Sequence, residues 1–161
     1  MRVVEWNGQG YLRTEDKYSR MAVPLPEILP NEFTLEFDLF EGTEGGDGVS
    51  IALVEPPRFD FAWSQYYDHN YLNVGHRQTA GLWAPQAKQL MVSEDARPSQ
   101  SVVPIKVMVQ GEELRMYVGD RRVAQSSTAS LGRSERIYFF LDSLPPASLT
   151  YIGNIRIAEI E

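Results

Sequence analysis

The sequence predicts an all-β fold, an antiparallel sandwich or barrel, on three observations. Apolar and polar residues alternate at period 2 along many stretches. Turn residues separate those stretches at the spacing of roughly 8–12 residues that short antiparallel strands use. Helical periodicity is nearly absent; 85–92, Pro-Gln-Ala-Lys-Gln-Leu-Met-Val, offers one short helix after its proline only as the minor alternative to no helix at all.

The clearest strand lies between residues 30 and 40. Phe33, Leu35, Phe37 and Leu39 point one way, and Thr34, Glu36, Asp38 and Phe40 the other. Ile105, Val107 and Val109 alternate with Lys106, Met108 and Gln110, and Leu114, Met116 and Val118 alternate with Arg115 and Tyr117. Ile155, Ile157 and Ile160 nearly continue the pattern at the end, with parity broken between the last two. Further strands are expected at 2–6, 10–14, 19–23, 48–54, 59–64, 71–77, 81–84, 121–125 and 136–141. Gly119-Asp120 suits a tight hairpin whose glycine supplies the positive φ of a type II′ turn. Gln110-Gly-Glu-Glu113 suits a second hairpin just before it. No internal repeat is present, which excludes propellers and solenoids. The polar stretch 93–101 and the segment Pro24 to Pro30 read as surface loops of one domain spanning 1–161.

Composition narrows the function. The 161 residues are 43% hydrophobic and 23% charged, ordinary values for a chain that buries one core. The formal charge of −7 argues against a nucleic-acid or anionic-membrane partner, since both need a basic surface. Without cysteine there is no disulfide scaffold, thiolate metal site or cysteine nucleophile. No segment has the run of about 18 apolar residues a membrane helix needs, so this domain is not expected to insert into a membrane. A chain that ends on a strand, 151–161, is the expectation for a domain cut from a longer, exported protein. A cytoplasmic location stays open.

Three stretches carry a resemblance. Residues 102–125, with Leu114, Met116, Tyr117 and Val118 in an L-x-x-Y-V-like strand, resemble the central hairpins of laminin-G-like and concanavalin A-like domains, with Gly119-Asp120 replacing the usual Asp-Gly turn. Residues 30–39 resemble the "pF-T-l-E-f" strand of the same families. The ending Tyr151-Ile-Gly-Asn-Ile-Arg-Ile-Ala158 is similar to the strand that closes such a domain beside its first one. It is also similar to the ending of sandwich domains in some OmpA-like envelope proteins. The resemblance implies a two-sheet antiparallel jelly-roll sandwich, concanavalin A-like. It further implies a non-catalytic recognition or spacer domain of the bacterial cell envelope, in the periplasm or at the cell surface, binding carbohydrate or protein.

Candidate chemistry is of three kinds. Glu36-Phe-Asp-Leu-Phe-Glu41 fits the E-x-D-x-x-E pattern of family-16 glycoside hydrolases, in which carboxylates flank a sugar bond. Glu36 and Asp38 share a strand face, but Glu41 has the opposite parity unless a bulge re-aims it. The stronger expectation is that Glu36 and Asp38 are the solvated side of a strand whose other side is core. Gly42-Thr-Glu-Gly-Gly-Asp-Gly-Val-Ser resembles the "G-D-G" element of legume-type lectins, where Asp47 matches a sugar-binding aspartate; a glycine-rich turn is the plainer reading. The metal-ligand run of those lectins has no convincing counterpart here. No cofactor is therefore expected, with calcium the one candidate.

The third kind is concentration of rings. Phe59, Phe61, Trp63, Tyr66, Tyr67, Tyr71 and Trp83 fall in one segment with His69 and His76. Aromatic faces beside amide and imidazole groups suit stacking on sugars and anchor protein interfaces. Tyr71, Asn73, His76, Trp83 and Asp47 are the expected ligand-binding residues, with Tyr71 and Asn73 on one face and His76 on the other. The two histidines, seven residues apart, do not make a metal site.

Overall fold

A computed structural model describes residues 2–6, 8–13, 18–25, 27–41, 48–52, 71–74, 79–83, 91–94, 102–127, 135–142 and 150–160. These hold thirteen strands in two antiparallel sheets. The first sheet, A, contains β1 (Arg2–Trp6), β2 (Gln9–Arg13), β4 (Glu32–Glu41), β9 (Val103–Gln110), β10 (Glu113–Val118), β11 (Arg121–Ser126) and β13 (Thr150–Glu159), in the order β1-β2-β13-β4-β9-β10-β11. The second, B, contains β3 (Tyr18–Pro24), β5 (Gly48–Ala52), β6 (Tyr71–Val74), β7 (Thr79–Trp83), β8 (Met91–Glu94) and β12 (Arg136–Asp142), in the order β3-β12-β5-β6-β7-β8.

Alternation decides which face of each strand is covered. In β4, Phe33, Leu35, Phe37 and Leu39 are buried, while Thr34, Glu36, Asp38 and Phe40 lie on the outer face. Ile105, Val107 and Val109 of β9 and Leu114 and Met116 of β10 continue the same layer. Val49 and Ile51 of β5, Leu72 and Val74 of β6, and Ile137 and Phe139 of β12 supply the facing layer. The sheets meet at Phe37 and Phe139, whose rings are 5.5 Å apart and nearly perpendicular at 80°. Edge-to-face pairs of this kind add about 0.5–1.5 kcal/mol to the burial of the rings themselves.

Two turns set the register of sheet A. Gly111 and Gly119 have φ of 60° and 58°, and each opens a two-residue link, closed by the pairs Gln110↔Glu113 and Val118↔Arg121. Positive φ at the first link residue alone is the type II′ pattern, which matches the twist of the flanking strands.

The structure departs from the sequence expectations in three places. β13 pairs with β2 and β4, so the closing strand lies one place in from β1, which forms the sheet edge. No strand is expected at 91–94, where a short helix ending at Met91 and Val92 is the minor alternative, yet these residues form β8, which pairs with β7 and takes in the first two residues of the expected 93–101 loop. Pairing with β7, where Leu82 lies opposite Met91 and Gly81 opposite Val92, outweighs the weak helical pattern. β13 carries an extra residue: Gly153 pairs with Asp38 and Arg156 with Glu36, a bulge that lets Ile152 and Ile157, of opposite parity in the sequence, both pack on the core. The expected strand at 59–64 lies outside the described residues.

Candidate functional site

The backbone of sheet B sets three of the expected ligand-binding residues together. Leu72 and Val74 are fully buried, so Tyr71 and Asn73 hold the alternate positions of β6. Tyr71 is opposite Trp83, and Asn73 lies between Ser50 of β5 and Gly81 of β7. Tyr71 and Trp83 are therefore directly opposite each other in the backbone register. Asp47 and His76 lie outside the described residues, as do His69, Phe59, Phe61, Trp63, Tyr66 and Tyr67.

The same face is partly closed farther along the sheet. Phe139 points into the core, so Tyr138 and Phe140 occupy the opposite side of β12, yet they are only 2% and 7% exposed. Ser50, opposite both Phe140 and Asn73, is likewise buried. This side of sheet B is covered at β12 and β5. The sequence carried a signal for it: Ile137-Tyr-Phe-Phe-Leu141 is a continuous apolar run, the mark of a strand buried on both faces.

The carboxylates of β4 lie on the outer face of the other sheet. Glu36 forms an ion pair of 3.3 Å with Lys106 on β9, beside a shallow depression also lined by Thr34, Arg156 and Ala158. Asp38 accepts a hydrogen bond of 2.6 Å from Nδ2 of Asn154 on β13. The same amide also donates to Oε1 of Gln9 at 3.1 Å, an oxygen that accepts from the Tyr11 hydroxyl at 3.2 Å. Asp38 is thus a fixed acceptor at the bulge rather than a free member of a solvated row. Burial, and secondarily the Asp38 charge, raise the pKa of Tyr11 above its ordinary value of 10.0. Tyr11 itself is only 3% exposed although it lies on the outer face, because its ring packs over Gly153. Sequence inspection missed this cluster, since its four members come from three strands and only register brings them together.

Glu41 pairs with buried Thr150, at the parity opposite to Glu36 and Asp38, and no bulge interrupts β4 between them. Among the described residues no three His, Asp or Glu side chains are grouped to hold a metal ion, and no helix is long and apolar enough to cross a membrane.

Neither a protein-family model nor a curated protein matches the sequence. Solved structures do match. A Bacillus subtilis protein of unknown function with a galectin-like fold superposes with a TM-score of 0.67 at 11% identity, over 95% of this chain and 83% of that one. The fold is a galectin-like jelly roll. The Emp47p carbohydrate recognition domain superposes with a TM-score of 0.69 at 14% identity, over 98% of this chain and 86% of that one. The carbohydrate-binding module CBM66 from Bacillus subtilis gives 0.60 at 13% identity, over 98% and 91%. At these identities the likeness is one of fold.

Proposed function

We propose that this jelly roll is a non-catalytic recognition domain that binds carbohydrate through sheet B, around β6 and β7. The supporting observation is that two structures superposing over 98% of the chain are a carbohydrate recognition domain and a carbohydrate-binding module. Fold alone does not confer an activity, so the proposal also rests on the site. In the backbone register Tyr71 is opposite Trp83, with Asn73 two residues along β6. Rings of this kind stack on the apolar faces of sugars, and the amide both donates to and accepts from hydroxyls. Asp47 and His76 complete the proposed set, with calcium as its one candidate ion. A glycan array run with and without calcium tests the reading. Binding that is lost in Tyr71→Ala, Trp83→Ala and Asp47→Ala supports it, and folded variants that all bind as the parent does refute the site.

The proposed setting is the bacterial cell envelope, outside the cytoplasm, where the domain recognises a glycan or spaces other modules. It is supported by the likeness of the closing strand to sandwich domains of OmpA-like proteins. Cell fractionation of the native protein tests it. A glycoside hydrolase built on Glu36, Asp38 and Glu41 is the reading the structure disfavours, because the third acid is out of phase with the other two.

A further inference from the structure

One row across the outer face of sheet A brings together four side chains that the sequence separates. Arg2 of β1 is directly opposite Arg13 of β2, Arg13 is opposite Tyr151 of β13, and Tyr151 is opposite Phe40 of β4. Leu39 and Ile152 are buried in the core, so their neighbours Phe40 and Tyr151 lie on the outer face. Residues paired in register share a face, which puts Arg13 and Arg2 there too. The rings of Tyr151 and Phe40 meet edge to face, with centroids 5.5 Å apart, and both are half-buried.

Like charges directly opposite each other destabilise a strand pair. Two other cations of this face have acids in contact, Lys106 with Glu36 at 3.3 Å and Arg115 with Glu113 at 2.7 Å. Around Arg2 and Arg13 the described positions on the same face are Val4, Tyr11 and Tyr151, and none is acidic. Asp38 lies in the next row, two strands from β2, and holds the Asn154 amide. Nε of Arg13 is buried and has no hydrogen-bond acceptor among the described residues. A buried N–H without an acceptor is costly, more so on a charged group, and an anionic acceptor would satisfy it. The chain is acidic overall, at −7, so this cation pair is a local arrangement rather than a matter of composition.

We infer that this corner of sheet A is a binding site for an acidic sugar, a uronic acid residue whose carboxylate bridges Arg2 and Arg13 while its ring lies against Tyr151 and Phe40. A planar guanidinium matches a carboxylate through two parallel hydrogen bonds, and a bridging anion replaces the repulsion between the arginines with attraction to both. Neighbouring strands are about 4.8 Å apart, so a carboxylate at Arg13 and a ring at Tyr151 fall within the span of one sugar residue. A small anion such as phosphate would satisfy the arginines alone. The ring pair beside them is what selects a sugar, by contact with its apolar face. The site is on a different sheet from the proposed glycan site and is independent of that reading.

The test uses an oligogalacturonate, the same oligomer with its carboxyl groups methyl-esterified, and two anions without a sugar ring, succinate and inorganic phosphate. Calorimetry in low-salt buffer should show saturable binding of the oligogalacturonate, with the ester and both small anions weaker by about tenfold or more. The Nε–H resonance of Arg13 should shift as the oligomer binds. Arg2→Gln and Arg13→Gln should each weaken binding by about tenfold or more. Without ligand, Arg2→Gln should leave the thermal midpoint unchanged or raise it, because the change relieves the repulsion. The inference is overturned if the ester binds as tightly as the acid, if either small anion binds as tightly as the oligomer, or if nothing binds. A lower midpoint for ligand-free Arg2→Gln also overturns it, because the chain then already compensates the pair. Binding that is lost in Trp83→Ala but kept in both arginine variants overturns this site while supporting the one on sheet B.

Discussion

The side-chain amide of Asn154 donates a 2.6 Å hydrogen bond to the Asp38 carboxylate from a backbone held at φ 50°. Asparagine is among the few residues other than glycine that enter this left-handed region readily, and its short amide reaches polar groups on both neighbouring strands from there. The bulge and the bond therefore depend on one residue type. Asn154→Ala should destabilise the fold by about 1–3 kcal/mol, combining backbone strain with lost bonds. Asn154→Gly should cost less, because it relieves the backbone. Urea unfolding of the two variants checks the order, and equal costs would mean that the backbone contributes nothing.

Glu36 and Asp38 should separate in the same assay, although both lie on the outer face of β4. Glu36 and Lys106 retain 38% and 43% side-chain exposure, so Glu36→Gln should change stability by less than about 0.5 kcal/mol. Asp38→Ala removes the charged acceptor of the Asn154 amide and should cost about 1.5–3 kcal/mol.

At Gly153 even a methyl group has no room. A Cβ there falls 2.6 Å from Cδ1 of Tyr11, whose ring covers the glycine from the paired position on β2. Gly153→Ala should destabilise by about 1–3 kcal/mol, as overpacking does. In the background of Tyr11→Ala the same change should be nearly neutral, and a double-mutant cycle measures that coupling.

Much of the fold was legible because period-2 alternation is local. Phe33 to Leu39 and Ile105 to Val109 announce both their strands and their buried faces, and Gly111 and Gly119 announce their turns. The Asp38, Asn154, Gln9 and Tyr11 cluster was not legible, because its contacts depend on strand order and on one extra residue in β13. At the candidate glycan site, Tyr71, Asn73 and Trp83 stand out by composition. That Tyr71 faces Trp83 across a strand pair is a register relation that only the folded chain displays.

High pH should expose the Tyr11 environment. The folded protein holds the phenol proton more tightly than the unfolded chain, so the stability contributed by neutral Tyr11 is intact below the ordinary value of 10.0. It declines as pH rises from there through the raised folded value. Comparing the parent with Tyr11→Phe from neutral pH upward should show a steeper loss in the parent, and parallel curves would overturn the assignment.

The position of β13 also has a consequence for how the protein is made. β2, β13 and β4 are neighbours in that order, so an interior place in sheet A is filled by the last of the thirteen described strands to be synthesised. Until it arrives, β2 and β4 have no common partner, and the apolar faces that will become the core are open on that side. Long-range pairing of this kind is slow, because the loop must close before any bond rewards it. Until β13 emerges the nascent domain is thus exposed to misassembly, and truncation within 150–159 should yield an aggregating product rather than a slightly weaker domain.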